Sequence, residues 1–382
     1  MIDFRKVPSP CYVLEERRLL KNLQILDYVQ KASGAKIICA LKGFAMFSTF
    51  PMVRQYLPGV TASSLNEAIL GQQEFQGEVH AYAPAYRPDE MERLLDICSH
   101  ISFNSLTQWE HYKKQALKYK NKVSFGLRVN PEYSEVVVDM YNPCIRGSRL
   151  GITADKIGDK LPEGIEGLHF HTLCENSAEV LERTLKALEE KFGHLLKQAK
   201  WLNMGGGHWI TGDGYNVELL IDLIRQLKNK YNNIEIILEP GTAVGWRTGY
   251  LVASVLDIVE NDGVSSAMLD VSFSAHMPDC IEMPYKPKIL TASASEDEDI
   301  APYVYNMGGN TCLAGDFMTH YRFEKPLKVG DNIVFEDMIH YTMVKTTTFN
   351  GVNLPSIGIW TLDEQFKLVK KFGYEEYKSR LS

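Results

Sequence analysis

The sequence reads IEGLHFH at 165–171, WLNMGGG at 201–207 and IEIILEPG at 234–241, and these three runs decide the fold. Apolar residues recur at helical spacing in the two segments between them, 178–198 and 217–231. Short apolar runs predict buried strands, and longer amphipathic stretches predict helices. This part of the chain therefore alternates strand and helix, which is typical of an α/β protein with a parallel sheet.

The same alternation extends towards the N-terminus. Short runs rich in apolar, β-branched or aromatic residues occur at 36–40, 59–62, 79–83, 101–103 and 123–129. Helical spacing recurs at 88–98 and 107–119. Eight strands alternating with helices over about 200 residues predict a TIM-type (β/α)8 barrel. An open doubly wound sheet remains the alternative, because periodicity alone does not distinguish the two.

The character of the sequence changes after Gly249, where helical stretches become few. Strands are predicted at 250–259, 265–270, 329–335 and 341–349. The acidic run 296–299 predicts a solvated loop. Because 382 residues exceed the size of a single hydrophobic core, we predict a barrel at 16–262 and a C-terminal, mostly β domain at 263–382. An N-terminal strand within 1–15 is expected to join the β domain.

The composition excludes several classes of function. The chain is 45% hydrophobic and 23% charged, with a formal net charge of −7. It has no apolar run near the roughly 20 residues that span a bilayer, and its first residues lack the pattern of a signal peptide. A net negative charge provides no electrostatic surface for nucleic acid. We therefore expect neither a membrane nor a nucleic-acid partner.

The seven cysteines are scattered and contain no Cys-x-x-Cys pair. This pattern argues against a disulfide framework and a thiolate zinc site, and it predicts a cytoplasmic protein. Cys312 stands apart because it follows a glycine-rich segment, 308–311.

Functional residues of a barrel gather at the carboxyl ends of its strands. The residues that follow the predicted strands are Lys42, Ser63, Glu67, Arg128, His171, Gly205, Gly206, Gly207 and Glu239. They include an amine, an aromatic ring, a glycine loop and a carboxylate, all expected at one end of the barrel.

These residue types fit the chemistry of a pyridine-aldehyde cofactor. A desolvated lysine such as Lys42 loses its proton more readily and can form a Schiff base. Consecutive glycines expose backbone N–H groups to a phosphate. A carboxylate such as Glu239 can keep a pyridine nitrogen protonated. Each residue taken singly also has an ordinary structural explanation, and it is their joint occurrence that indicates a site.

A metal-dependent barrel hydrolase is an alternative from another class. His169 and His171 lie two apart on a strand, so their side chains share a face, as in a His-x-His metal pair. No further cluster of histidine or carboxylate ligands follows the other strands. That interpretation also leaves Lys42 and the glycines unexplained, so we expect no metal.

The chain resembles the fold-type III, alanine-racemase-like pyridoxal-phosphate decarboxylases, which include diaminopimelate, ornithine and arginine decarboxylases. The resemblance covers nearly the whole chain. It rests on the segments 40–42, 167–171, 205–207, 239–241, 309–312 and 349–351, and on Tyr341.

The resemblance implies a pyridoxal 5'-phosphate enzyme that is a homodimer with shared active sites. Lys42, Cys312 and His171 would be catalytic, with Cys312 entering the partner's site as a proton donor. The cofactor would be bound by Lys42, Ser63, His171, Gly205, Gly206, Gly207, Glu239, Gly241, Thr242 and Tyr341.

Departures from the family pattern indicate the substrate. Thr242 stands where related branches carry a phosphate-pairing arginine, and Leu313 stands where they carry an acid. The segment 276–280 replaces one in which the diaminopimelate branch carries an arginine. These departures predict a substrate with a cationic tail. The resemblance implies that this substrate is carboxynorspermidine or carboxyspermidine, decarboxylated to norspermidine or spermidine. Candidate substrate-binding residues are Glu239, His276, Asp279, Glu282 and Asp316.

Three alternatives remain within the resemblance. The enzyme could decarboxylate diaminopimelate, ornithine or arginine instead. It could be a racemase, although that reaction needs a base such as tyrosine where Cys312 stands. A catalytically silent relative would be expected to lack Lys42 or Cys312, and the chain has both.

Overall fold

The computed structural model describes residues 2–283, 285–290 and 301–382. The chain forms two compact units, a barrel unit at Lys21–Val244 and a sheet unit made of Met1–Leu20 and Gly245–Ser382. The acidic run 296–299 lies outside the described residues. The chain begins with strand β1 (Cys11–Glu15) and helix α1 (Glu16–Ser33).

The barrel unit is a ring of parallel strands. In chain order they are β2 (Lys36–Ile37), β3 (Cys39–Ala40), β4 (Gly59–Ala62), β5 (Glu78–Tyr82), β6 (His100–Phe103), β7 (Ser124–Arg128), β8 (Ile165–His169), β9 (Trp201–Asn203) and β10 (Glu235–Leu238). From β3 to β10 each strand pairs with the next, and β10 pairs with β2.

Closure of the ring depends on its first strand. β2 and β3 are two halves of one strand, interrupted at Ile38, whose N–H donates to the Leu238 carbonyl at 2.9 Å. Within the described residues the ring therefore has the eight strands of a (β/α)8 barrel, and the predicted fold class is confirmed. The alternative of an open sheet is wrong, because both halves of the first strand are paired.

Helices follow most of the barrel strands. They are α2 (Phe50–Val53), α3 (Leu65–Leu70), α4 (Pro88–Ile97), α5 (Leu106–Ala116), α6 (Ala178–Leu196), α7 (Val217–Lys230) and α8 (Thr242–Gly245). Local sequence sets where several begin, since the side chains of Ser64, Ser105 and Asn216 each accept a backbone N–H in the first turn. Pro88 occupies the first position of α4, where a missing N–H has no cost.

Two glycines make room for a tryptophan in the barrel. Gly126 and Gly167 are paired on adjacent strands, and Gly167 is also paired with Trp201. A Cβ on either glycine would overlap the indole ring of Trp201. The ring packs with Ile38 and Ile237 in a buried cluster. Larger residues at these glycines would therefore displace the core.

The sheet unit is built from the rest of the chain. Its later strands are β11 (Gly249–Asn261), β12 (Val264–Leu269), β13 (Tyr303–Gly308), β14 (Phe317–Phe323), β15 (Asn332–Glu336), β16 (Ser356–Trp360) and β17 (Phe366–Lys370). The sheet has the order β14-β13-β12-β11-β1-β16-β17, and β15 also pairs with β11. Short helices are α9 (Phe273–His276), α10 (Pro278–Glu282), α11 (Tyr341–Val344) and α12 (Tyr374–Lys378).

The division between the units falls before β11, at Val244, and not at residue 262 as the sequence suggested. The reason is pairing, because β11 is antiparallel to both β1 and β15. A buried cluster that includes Cys11, Val252 and Trp360 packs on this part of the sheet.

One predicted strand is wrong. The segment 341–349 forms the short helix α11 and then a loop, and 349–351 is a 3₁₀ turn. Thr342 is buried there and donates to the Asp279 carboxylate at 2.8 Å, whereas Phe349 is exposed. Local composition therefore suggested a strand where side-chain contacts hold a helical turn. In the described part of the chain, no helix is both long and apolar enough to cross a membrane.

Candidate active site

Four neighbouring strands end in the residues predicted to carry the chemistry. In the order of the barrel, β8 leads to His171, β9 to the glycine loop, β10 to Glu239 and β3 to Lys42. Parallel strands present their carboxyl ends at the same edge, so these side chains share one end of the barrel. The structure therefore brings the predicted barrel residues together.

Lys42 sits in a tight turn directly after β3. The N–H groups of Gly43 and Phe44 both donate to the Ala40 carbonyl at 3.0 Å, which fixes the turn. The Lys42 Nζ atom lies 3.5 Å from Nε2 of His171. Burial lowers the pKa of Lys42, and the positive charge of Arg128 lowers it further. The amine is thus biased towards its neutral, nucleophilic form.

The orientation of the His171 ring is fixed from two sides. Its Nδ1 accepts the N–H of Gly206 at 2.9 Å, and its carbonyl accepts from Arg128 at 3.0 Å. Burial, together with the charge of Lys42, lowers the pKa of His171 well below its usual value. The ring is therefore neutral, and because Nδ1 is an acceptor, the proton is on Nε2, which faces Lys42.

Glu239 is a buried carboxylate with a direct hydrogen-bond donor. Asn203 Nδ2 donates to Oε1 at 2.6 Å, and His169 Nε2 lies 3.7 Å from Oε2. Burial alone would raise the pKa of Glu239, but the facing His169 and the hydrogen bond from Asn203 outweigh it. The pKa of Glu239 is consequently lowered, and the group is an anion at neutral pH.

The three glycines after β9 are required by close packing. A Cβ on Gly205 would lie 2.6 Å from the Phe170 carbonyl oxygen, and one on Gly207 would overlap the carbonyl of Leu173. Both glycines also have positive φ, 65° and 82°, a region that other residues avoid. A Cβ on Gly206 would overlap the Glu239 carbonyl.

The N–H groups of this loop differ in their availability. The N–H of Gly205 donates to Asn203 Oδ1 at 2.8 Å, and that of Gly206 donates to His171. Among the described residues, no acceptor is assigned to the N–H of Gly207. A phosphate could therefore reach this loop chiefly through Gly207.

Two further loops lie beside Lys42. Gly241 packs against Gly43 so closely that a Cβ on either would fall within 3 Å of the other's Cα. Thr242 follows and begins α8. The side chain of Ser63 is exposed, while its N–H donates to the Glu67 carboxylate at 2.6 Å. Burial raises the pKa of Glu67.

In the sheet unit, Cys312 lies on an exposed loop. Its N–H donates to Asn350 Oδ1 at 2.8 Å. Asp316 supports the same loop, since Oδ2 accepts from the Thr311 hydroxyl at 2.5 Å and Oδ1 accepts from the Ser274 N–H at 2.9 Å. Asp316 therefore has a loop-forming role, and its contact with substrate stays a prediction.

The remaining predicted residues of the sheet unit lie on or near its short helices. Asp279 is buried, and Oδ2 accepts from Tyr285 and Thr342. No described residue donates to Oδ1 of Asp279. His276 is buried on α9, and burial lowers its pKa to about 4. Glu282 is exposed and forms an ion pair with Lys345, and Tyr341 begins α11.

The geometry does not favour the His169/His171 metal pair. Nδ1 of His171 accepts a backbone N–H, and its Nε2 faces Lys42. In the described chain, the group of three potential ligands that is close enough for a metal consists of Glu78, His80 and His100. It contains neither histidine of the proposed pair.

Sequence reasoning missed two hydrogen-bonding residues of the site. Asn203 binds Glu239 and the glycine loop, and Asn350 binds the loop of Cys312. A polar residue at the end of a buried strand was an available signal for Asn203. Asn350 lies in the segment 349–351, one of those on which the resemblance rests, but it was not predicted as a site residue.

The family model described as "Pyridoxal-dependent decarboxylase, C-terminal sheet domain" matches residues 11–339. Two curated relatives cover nearly the whole chain. A carboxyaminopropylagmatine decarboxylase from Synechocystis sp. is 49% identical over 98% of this chain and 96% of the relative. A carboxynorspermidine/carboxyspermidine decarboxylase from Campylobacter jejuni is 47% identical over 99% of both chains.

A solved structure has the same fold. The crystal structure of carboxynorspermidine decarboxylase from Campylobacter jejuni, complexed with norspermidine, superimposes with a TM-score of 0.91. It is 45% identical to this chain and covers 98% of it and 100% of the solved chain.

Proposed function

Because the chain belongs to the pyridoxal-dependent decarboxylase family, we propose that it removes the α-carboxylate of carboxynorspermidine or carboxyspermidine. The products would be carbon dioxide and norspermidine or spermidine. The enzyme is a carboxy-lyase that depends on pyridoxal phosphate. The observation that carries the substrate class is the near full-length similarity to relatives whose names specify carboxylated polyamines.

The barrel residues fit the cofactor. The loop glycines leave space that a Cβ would fill, Lys42 supplies an amine, and Glu239 supplies a buried anion. When bound, pyridoxal phosphate supplies an aldehyde that condenses with amines and a pyridine ring that takes up the electrons released as carbon dioxide leaves. Among phosphate contacts we favour the N–H groups of Gly207 and Gly241, and the Thr242 hydroxyl.

Ser63 and Tyr341 are weaker parts of this cofactor assignment. The side chain of Ser63 is exposed, and its backbone N–H already donates to Glu67. Tyr341 begins a short helix that Thr342 ties to Asp279. Both assignments rest on the family resemblance.

The protonation of Lys42 and of His171 prepares the Lys42 amine for reaction. Burial and the charge of Arg128 lower the pKa of Lys42, so the lone pair of its amine becomes available for attack on a carbonyl more readily than that of a solvent-exposed lysine. The neutral His171 ring presents Nε2–H towards Lys42 Nζ and offers a flat face for stacking. Its fixed orientation, set by Gly206, keeps that face in place.

Glu239 stabilises positive charge on a ring nitrogen. Its carboxylate is buried, deprotonated and oriented by Asn203. In a site of low dielectric, an anion so placed favours the protonated nitrogen strongly. This is why a neutral amide at position 239 would be a poor replacement.

Cys312 is the proposed general acid. Its thiol lies on an exposed loop that Asn350 and Asp316 hold in shape. A proton donor is required at the carbon that loses its carboxylate. Following the family pattern, we propose a homodimer in which Cys312 serves the partner's site. The free cysteines suit a reducing compartment, which supports a cytoplasmic location.

The substrate amines need anionic partners. Of the acids predicted for this role, Glu282 is exposed and pairs with Lys345, whereas Asp279 and Asp316 are buried and accept hydrogen bonds within the sheet unit. Asp279 keeps one buried oxygen that no described residue binds. We therefore favour Glu282 and Asp279 over Asp316 and His276 as direct partners.

Carboxyaminopropylagmatine is the second candidate substrate. The Synechocystis relative named for it is as similar to this chain as the Campylobacter relative. Both substrates would share an α-amino acid end and a cationic tail, and they differ in whether the tail ends in an amine or a guanidinium.

A substrate screen tests the proposal. Purified holoenzyme is assayed for carbon dioxide release from carboxynorspermidine, carboxyspermidine, carboxyaminopropylagmatine, diaminopimelate, ornithine and arginine. The highest kcat/KM on one of the first two supports the proposal, and the highest value on the third transfers it to the second candidate. Preference for any of the last three would refute a carboxylated polyamine substrate.

Mixing two inactive variants tests the shared site. If each site combines Lys42 of one protomer with Cys312 of its partner, Lys42→Ala and Cys312→Ala subunits together form dimers with one intact site. Random exchange should then restore about a quarter of the wild-type activity. Recovery of none, with subunit exchange verified by size and mass, would contradict the shared arrangement.

A further inference from the structure

Asn203 connects two parts of the barrel site. Its Nδ2 donates to Glu239 Oε1 at 2.6 Å, while its Oδ1 accepts the N–H of Gly205 at 2.8 Å. The side chain is 3% exposed, so water does not compete for either bond. We propose that Asn203 is a positioning residue that holds the Glu239 carboxylate in register with the glycine loop.

The chemistry of the position requires an amide. One side of the residue must donate to a carboxylate, and the other must accept from a backbone N–H. Asparagine does both at once, whereas an ionised aspartate can only accept. A leucine of similar size would leave the Glu239 oxygen and the Gly205 N–H unpaired in a buried site. Glu239, proposed to bind the ring nitrogen of the cofactor, and the glycine loop, proposed to bind its phosphate, would therefore no longer be connected.

Several groups face Glu239 besides Asn203. They are His169 from β8, His80 from β5 and Lys42 from the turn after β3. None of these bridges Glu239 and Gly205 in the described chain. The bridging function is therefore specific to Asn203.

This inference rests on the proposed role of Glu239 at the ring nitrogen. The variant Asn203→Asp places two carboxylates at hydrogen-bonding distance, and such a pair holds one proton more tightly than either acid alone. Where that proton is present, the new carboxylic acid can again donate to Glu239. Where it is lost at higher pH, the two anions repel each other, and the bridge breaks.

The test compares Asn203→Asp and Asn203→Leu with a charge-matched control. The control is Asn216→Asp, because Asn216 caps α7 by accepting the Leu219 N–H, which an aspartate also does. The readouts are the dissociation constant of pyridoxal phosphate from apoprotein, the absorbance of the bound cofactor against pH, and kcat and KM against pH. Thermal unfolding reports whether each variant is folded.

For Asn203→Asp we expect kcat to fall about tenfold to a hundredfold at alkaline pH and to recover as pH is lowered. The cofactor absorbance should acquire an ionisation that the wild type and Asn216→Asp lack. KM should change less than kcat. Cofactor affinity should fall in Asn203→Leu, and if that variant does not fold, the pH profile of Asn203→Asp still decides.

Two results would overturn the inference. One is an Asn203→Asp enzyme whose pH profile and cofactor affinity match those of Asn216→Asp. The other is a loss of kcat that follows thermal destabilisation and does not recover at lower pH. Glu239→Gln separates this from a failure of the proposed function: if it leaves the cofactor absorbance unchanged, the role assigned to Glu239 is wrong, whatever Asn203 does.

Discussion

Each end of the barrel contains a lysine whose pKa is shifted by its surroundings, upwards at the amino end and downwards at the carboxyl end. At the amino end, Lys36 Nζ lies 2.8 Å from both Glu78 and Glu235. Burial alone would lower the pKa of Lys36, but these two hydrogen-bonded carboxylates raise it. At the carboxyl end, Lys42 faces the neutral ring of His171, and its pKa is lowered.

The difference indicates that neighbouring charges set the pKa of each lysine. They separate a lysine with a structural role, Lys36, from the proposed nucleophile, Lys42. Lys36 is a permanent cation because two anions contact it. The charge of Arg128 lowers the pKa of Lys42, and the charges of Glu67 and Glu239 offset this lowering only in part. A nucleophile needs its lone pair, so only the second arrangement suits covalent catalysis.

The largest expected effect comes from removing Lys42, the proposed nucleophile. Lys42→Ala should lower kcat roughly 10³-fold or more, because it removes the amine proposed to condense with the cofactor. The purified variant should also lack the visible absorbance band that borohydride abolishes in the wild type. Lys36→Met is the matched control and should keep both the band and most of the activity.

Neutralising Glu239 should have the next largest effect. Glu239→Gln keeps the shape of the side chain but removes its charge, so kcat should fall roughly 10²-fold, with a smaller change in KM. Steady-state kinetics across pH measure this. Glu235→Gln, at the other end of β10, is the control, and an equal loss of kcat there would contradict the contrast between the two ends.

Substitution of Lys36 should lower the stability of the protein without lowering its catalytic activity. Lys36→Met leaves Glu78 and Glu235 without their shared cation, so the free energy of unfolding should fall by roughly 1–2 kcal/mol. Denaturant unfolding of the variant and the wild type measures the difference. A fall in kcat without a fall in stability would reverse the roles assigned to the two lysines.

The last expected effect is negligible at neutral pH and concerns acid sensitivity at the amino end. Burial lowers the pKa of His100 from its usual value of 6.5 to about 3. Between these values the unfolded chain binds the extra proton, so stability falls as pH drops from about 6.5 towards 3. His100→Asn should reduce that slope by up to about 1.4 kcal/mol per pH unit.

Unfolding of His100→Asn at several pH values tests this slope. The control is His111→Asn, which changes an exposed histidine on α5 and should leave the slope unaltered. Equal slopes in both variants and the wild type would show that His100 does not titrate differently on folding.

The sequence alone was sufficient to predict the barrel and to place the residues of the candidate site at one end of it. The eight apolar runs became strands because each combines burial with β-forming residues, which is local information. Lys42, His171, the glycine loop and Glu239 were predictable because strand ends in a parallel barrel meet at one edge. The order of the strands along the chain already implied their proximity.

Only the tertiary structure determined which site residues are charged and which hydrogen bonds they form. Position along the strand distinguishes Lys42 from Lys36, but the protonation of the two lysines depends on Glu78, Glu235 and Arg128, which come from distant strands. The bridge made by Asn203 and the helical turn at Tyr341 likewise depend on long-range hydrogen bonds. Periodicity reports which residues are buried, but hydrogen bonds and electrostatic interactions depend on distances that only the folded chain sets.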